Sequence, residues 1–229
     1  MATVNNITNL SIKQISQLKL IKNGDIGTNG KVYMLNDKEC LKVFNEQGVY
    51  DEDKFKKFTT YEFETAEAPK KLVYISDIFS GYICNFINGP MLCECDDFDF
   101  SDVLALYGDF IKKACFETSV RKIFIGDAGC TNILLDRSIN QFKMIDLDLW
   151  SIQNDIAIHI LRKYNFNNLD IAFSRYIFGV LDNYPDFDTD FIDFYESYKK
   201  EMEEKHKTKL KTIGDIRNMR FGMMLKNRK

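Results

Sequence analysis

The stretch from Ile123 to Asp148, IFIGDAGCTNILLDRSINQFKMIDLD, constrains the fold of this chain more than any other. Short apolar, β-prone runs alternate in it with polar breaks, and the order reads as strand, acidic loop, strand, turn, strand. IFI precedes the loop, ILL follows it, and FKMI runs into a second acidic cluster after the turn-rich DRSINQ. Asp127 starts the loop, Asn132 closes it, and Asp146 caps the last strand. A hairpin of this length returns Asn132 and Asp146 to the same end. That end then carries a carboxylate able to accept a proton, together with an amide oxygen and a carboxylate suited to a hard cation such as Mg²⁺. An ordinary hairpin with acidic turns is the competing reading.

At these residues the chain resembles the protein-kinase-like phosphotransferase superfamily. Gly126-Asp127 through Asn132 is similar to its D-x-x-x-x-N catalytic loop, and Ile145-Asp146-Leu147 to its segment with a metal-binding aspartate. The Gly-Asp start and the Ile145-Asp146-Leu147-Asp148 ending are closer to aminoglycoside phosphotransferases, choline-type kinases and their bacterial relatives. Ile125 and Gly126 stand where protein kinases carry His and Arg, and Gly129 where Ser/Thr kinases usually carry Lys. These departures point to a small-molecule or atypical kinase. The resemblance implies Asp127 as the catalytic base and Asn132 and Asp146 as metal ligands. The same resemblance implies Asp148 as a further metal contact.

Further upstream, LKLIKNGDIGTNGKVYML reads as strand, glycine-bearing turn, strand. Gly27, Gly30 and Val32 are similar to the last three fixed positions of a kinase-type glycine loop, where absent side chains let amides approach phosphate. Asp25 occupies the place of the first glycine. In ECLKVF, alternation puts the Lys42 side chain on the face opposite Leu41 and Val43. The resemblance makes Lys42 the lysine that holds the α- and β-phosphates. It also asks the next helix, expected within GVYDEDKFKKFTTYEFETAEAPKK and stopping near Pro69, for a partnering carboxylate. Glu62 is the first candidate, with Glu52 and Glu64 as alternatives. GYICNFINGPML then resembles a hinge whose backbone from Asn85 to Ile87 would meet adenine, with Cys84 behind it.

Downstream, FDFSDVLALYGDFIKKACFETSVRK has apolar residues at helical spacing from Val103 to Phe116, with Ser101 or Asp102 as expected N-cap. After Asp148 a helix is expected almost at once, with His159 packed in it. Leu169 to about Leu210 reads as two or three helices rich in Phe and Tyr. Arg217 to Lys229 reads as a basic surface helix end or arm.

Composition sets outer limits. The 229 residues carry 31 Lys and Arg against 34 Asp and Glu, a net charge of −3, so no overall basic field favours nucleic acid or an anionic membrane. No charged-then-apolar leader and no apolar run of about 18 residues is present, so neither secretion nor a membrane span is expected. Six scattered cysteines suit reduced thiols in a cytoplasm. Cys93 and Cys95 form a lone C-x-C, which with only His159 and His206 makes no zinc site.

The sequence expectation is therefore an α+β, two-lobe protein-kinase-like fold. Residues 1–88 form an N-lobe with a small antiparallel β-sheet and one helix, and residues 89–229 a mainly helical C-lobe. The expected activity is an ATP- and Mg-dependent kinase that transfers the γ-phosphoryl group to a hydroxyl of a protein or small molecule. The sites are Asp127 for catalysis, Gly27, Gly30, Lys42 and Glu62 for the nucleotide, and Asn132 and Asp146 for the metal. The alternatives are a nucleotide-binding pseudokinase acting as an interaction module and, further off, nucleotidyl transfer to protein.

Overall fold

The computed structural model describes residues 7–21, 29–45, 50–179 and 184–226, with side chains as far as Met219. The chain divides into two compact units, Met1–Ile87 and Asn88–Lys229.

The first unit is built on one sheet. Its elements in order are β1 (Ile7–Asn9), α1 (Ile12–Ser16), β2 (Lys19–Leu20), β3 (Gly30–Met34), β4 (Glu39–Phe44), α2 (Glu52–Phe58), β5 (Lys71–Ile75) and β6 (Ile78–Asn85). The strands lie in the order β1-β5-β6-β4-β3-β2. All neighbours are antiparallel except β1 and β5, which run parallel. The sheet is therefore mixed, where the sequence suggested an antiparallel one, and it carries two helices, not one. The difference comes from the polar N-terminal segment. Its ITN pairs with the β5 edge, and Ser11 then caps α1 reciprocally with Gln14.

Strand alternation divides the buried residues between the faces. Leu41, Val73 and Ile83 gather with Ile15 of α1 on one side. On the other, α2 lays Phe55 against Phe44, Phe79 and Tyr82, with ring centroids 5.3–5.6 Å apart. α2 starts at its N-cap Asp51, whose Oδ1 accepts from the Lys54 amide at 3.0 Å. It stops at Phe58, far short of Pro69, because two consecutive threonines take its last carbonyls. Thr59 and Thr60 hydroxyls donate to the Lys56 and Lys57 oxygens at 2.8 and 2.7 Å.

The second unit opens with a 3-10 turn at Leu92–Glu94 and continues with α3 (Phe100–Val120), β7 (Ile123–Phe124), β8 (Ile133–Asp136), β9 (Gln141–Met144), β10 (Ser151–Ile152), α4 (Ile158–Ile177), α5 (Phe191–His206) and α6 (Ile213–Lys226). α3 is capped by Asp99, whose Oδ1 accepts from the Ser101 and Asp102 amides, so the cap sits before the two residues expected to provide it. The β8–β9 hairpin lies on α3: Phe142 of β9 reaches Tyr107, and Tyr107 stacks on Phe173 of α4 with centroids 4.6 Å apart. Tyr107 also donates to the Leu169 carbonyl at 2.8 Å, so this fully buried ring leaves no unsatisfied hydroxyl.

No helix begins directly after Asp148. β10 intervenes and pairs antiparallel with β7, joining Phe124 to Ser151 and Ile123 to Ile152. α4 starts only at Ile158, so His159 falls in its first turn and is exposed, not packed. Arg217 of α6 is equally far from being a loose arm. Its guanidinium engages Asp96 and the Tyr176 hydroxyl, and lies over the Tyr176 ring 4.2 Å from its centroid.

Candidate functional site

The β7–β10 ladder closes the base of the segment 125–150, and the β8–β9 hairpin is held inside it. Within the hairpin Ile133 faces Met144, and one step further the Ile145 amide donates to the Asn132 carbonyl at 2.8 Å. Asn132 and Asp146 therefore stand at the same end. The Asn132 amide folds the loop by donating to the Gly129 carbonyl at 2.8 Å. Its side-chain Nδ2 donates to Oδ2 of Asp127 at 2.9 Å, while Oδ1 of Asp127 accepts from the Gly129 amide at 3.1 Å. Asp127, Asn132 and Asp146 are thus brought to one end of one hairpin.

Asp127 is half-buried and its two oxygens are oriented by donors already in place. Turning Nδ2 of Asn132 towards Asp127 puts its Oδ1 on the other edge of the amide. Asp146 has a backbone φ of 62°, a left-handed conformation that a non-glycine residue rarely takes. Such positions cost on the order of 1–3 kcal/mol and persist where the surroundings over-determine them, often at functional sites. Asp148 next along is buried, between the fully buried Leu147 and the exposed Leu149.

Gly126 is required by close approach. A Cβ at this position would lie 1.9 Å from the Leu149 carbonyl oxygen, a backbone atom that cannot swing away. The glycine before Asp127 therefore lets the chain following Asp146 pack directly on the loop, which an arginine could not allow.

Two asparagines of α4, which the sequence did not single out, fix the approach to Asp127. Asn165 is fully buried. Its Oδ1 accepts from the Ile125 amide at 2.9 Å, and its Nδ2 donates to the Ile123 carbonyl and the Thr118 hydroxyl, each at 2.8 Å. One turn on, Asn168 donates to the Ile125 carbonyl at 2.7 Å. Both backbone groups of Ile125, two residues before Asp127, are held by one helix. Beside the loop lies a cleft of about 520 Å³, lined by Asp127, Cys130, Asn168, Ile171, Arg175 and Tyr176 among others. The α4 members recur at helical spacing and form one stripe.

The nucleotide residues expected from the sequence fall in the first unit. Gly27 lies outside the described residues. Gly30 is the first residue of β3 and is buried; a Cβ there would meet the Val43 carbonyl oxygen at 2.4 Å, so close strand approach alone already demands glycine. Lys42 is 5% exposed and sits opposite Val32 and Tyr82, on the face that α2 covers.

Glu62 is not on the partnering helix. It follows the end of α2 in irregular chain and is exposed, as is Glu64. Glu52 is on α2, but its Oε1 accepts from the Tyr74 hydroxyl at 2.6 Å and from Lys56 at 2.6 Å. The buried carboxylate among the described residues of this unit is Glu67, 7% exposed, which accepts from Asn85 Nδ2 at 2.8 Å. The charges of both Glu67 and Lys42 act on the Cys84 thiol, the carboxylate raising its pKa and the ammonium lowering it. In the segment expected to meet adenine, the Phe86 amide donates to the Lys38 carbonyl at 2.8 Å and so serves the sheet.

No protein-family model matches the chain, and a search of curated proteins finds no match. Among the described residues, no group of three or more His, Cys, Asp or Glu could hold a metal by itself, and no helix is long and apolar enough to cross a membrane.

Proposed function

We propose that this protein is an ATP- and Mg²⁺-dependent phosphotransferase with a two-lobe kinase-like fold, acting on a hydroxyl. The observation that carries the reading is the bond from Asn132 Nδ2 to Asp127 Oδ2, made at the same hairpin end as Asp146. Phosphoryl transfer asks a protein mostly to position groups and neutralise charge. A rigid loop presenting one oriented carboxylate beside two further oxygen ligands is suited to both tasks.

The donor set fits magnesium. Asn132 and Asp146 offer hard oxygens, and Mg²⁺ is usually held by one or two protein oxygens together with substrate phosphates and water. When bound, the ion would supply charge neutralisation at the transferring phosphate. Asp127 orients the acceptor hydroxyl and takes its proton. The cleft beside Asp127 gives the acceptor room. Lys42 holds phosphate oxygens, and Glu67 replaces Glu62 as the carboxylate that keeps a buried ammonium in place. The six thiols suit a reducing cytoplasm.

The test is metal-dependent ATP turnover by the full chain over a panel of hydroxyl acceptors. Asp127→Asn is expected to lower turnover by about 10²–10⁴-fold, with a smaller loss of stability because one of its two accepting oxygens becomes a donor facing Gly129 N–H or Asn132 Nδ2, and Asp146→Asn to abolish magnesium-dependent turnover. ATP binding without any turnover or transfer would instead establish a nucleotide-binding module, and an AMP adduct on the product would establish nucleotidyl transfer.

A further inference from the structure

Cys40 and Cys84 are direct cross-strand partners on β4 and β6. Their sulfurs are 3.5 Å apart, and either can donate to the other. Lys42 follows Cys40 by two positions on the same strand face, so the pair lies beside the buried ammonium. We propose that Cys40 and Cys84 form a reversible dithiol–disulfide modification site, closed by peroxide and reopened by thiols. The proposal does not depend on phosphoryl transfer.

The geometry favours closure. Cysteines directly opposite on paired strands share a face, so both Cβ atoms already point to the same side. The sulfurs need approach by only about 1.5 Å to reach bonding distance. The position also provides access. Glu39↔Asn85 is the last rung of the β4–β6 ladder and Cys40↔Cys84 the one before it. Ladder ends open locally at low cost, and that opening lets a small oxidant past the half-buried Cys84 to the buried Cys40. The two thiols are unequal. The hydrogen bond from Cys84 holds the Cys40 thiol below its usual range. That same bond, and burial, push Cys84 well above it. Cys40 is therefore the thiol that attacks and Cys84 the one that resolves.

The chemistry balances. The Cys40 thiolate attacks one peroxide oxygen, the O–O bond breaks, and hydroxide leaves and takes a proton to become water. The resulting sulfenic acid is attacked by the Cys84 sulfur, the S–S bond forms, and a second water leaves. Two thiols and one hydrogen peroxide give one disulfide and two waters. A thiol reductant reverses it by exchange.

The experiment treats the full chain with hydrogen peroxide, then measures free thiols, intact mass and non-reducing peptide maps. Reactive thiols are expected to fall from six to four, the mass to fall by two hydrogens, and one linked peptide pair to contain Cys40 and Cys84. Dithiothreitol should restore all three. Cys40→Ser and Cys84→Ser should each abolish that link, and circular dichroism shows whether each variant is folded. Hydrogen exchange on the unaltered chain is a readout independent of the variants: oxidation should slow exchange at the end of the β4–β6 ladder. The proposal is overturned if six thiols remain after treatment, or if the linked peptides join other cysteines such as Cys93 and Cys130.

Discussion

Lys42 and Asp127 are each held in a defined place, but by opposite means. The stem of Lys42 is packed by apolar matter: a central strand, the ring of Tyr82 across the ladder and the aromatic face under α2. Asp127 is positioned by polar bonds. Gly129 and Asn132 grip its oxygens, and Asn165 and Asn168 grip the backbone before it. Packing tolerates a swap of similar shape, because dispersion and burial are not directional. A buried hydrogen-bond network does not, because each lost partner leaves a polar group stranded. Chemistry and stability should therefore separate at Lys42 and fall together at the loop.

The sharpest break would come from Lys42→Met. If Lys42 holds phosphate as proposed, removing that charge costs about 10²–10³-fold in turnover. Stability should stay within about 1 kcal/mol when Glu67→Gln is made together with Lys42→Met, so that no buried carboxylate is left without its counter-charge. A variant that unfolds, or that turns over normally, contradicts the division drawn above. At the loop, Gly126→Ala should cost about 3 kcal/mol, because the new methyl meets the Leu149 backbone oxygen. Denaturant unfolding measures it, and turnover should drop in the same variant. Asn165→Ala strands the Ile125 amide and the Ile123 carbonyl, while the Thr118 hydroxyl keeps its bond to the Ala114 carbonyl; about 2–3 kcal/mol and a parallel loss of turnover are expected.

A last effect, on stability alone and only across a pH window, concerns Asp170 of α4. Burial pushes the Asp170 carboxyl up to about 6, while the hydrogen bond from Tyr195 pulls it down in part. The folded state thus holds this proton more tightly than the unfolded chain, whose carboxyl titrates near about 3.9. The stabilisation is complete below that lower value and is lost as pH rises through about 6. The loss over that window is about 3 kcal/mol. Unfolding midpoints of Asp170→Asn across the same range should lack this slope.

The order of strand, loop, strand, turn and strand from Ile123 to Asp148 was legible because each signal is local. β-prone triplets, an acidic loop and the Asp136–Asn140 turn lie within a few residues of one another, and Asn140 takes the positive φ of 51° that such a turn asks for. The face of Lys42 was legible for the same reason, since alternation has a period of two. Glu67 was not. An expected helix to Pro69 pointed to Glu62, but the threonine hydroxyls ended it early and a later, irregular stretch delivered the buried carboxylate. Asn165 was not legible either. It bonds to a backbone amide 40 residues away, and such a contact leaves no periodic trace.

By itself the sequence determined where the strands between Ile123 and Met144 run, which residues share a strand face, and that Asn132 and Asp146 return to one hairpin end. These follow from steric alternation and short-range turn chemistry. Only the tertiary structure decided what grips the loop before Asp127, why residue 126 has no side chain, and which carboxylate of the first unit is buried. Those are matters of which distant atoms come within bonding or colliding distance, and that is fixed when the core closes.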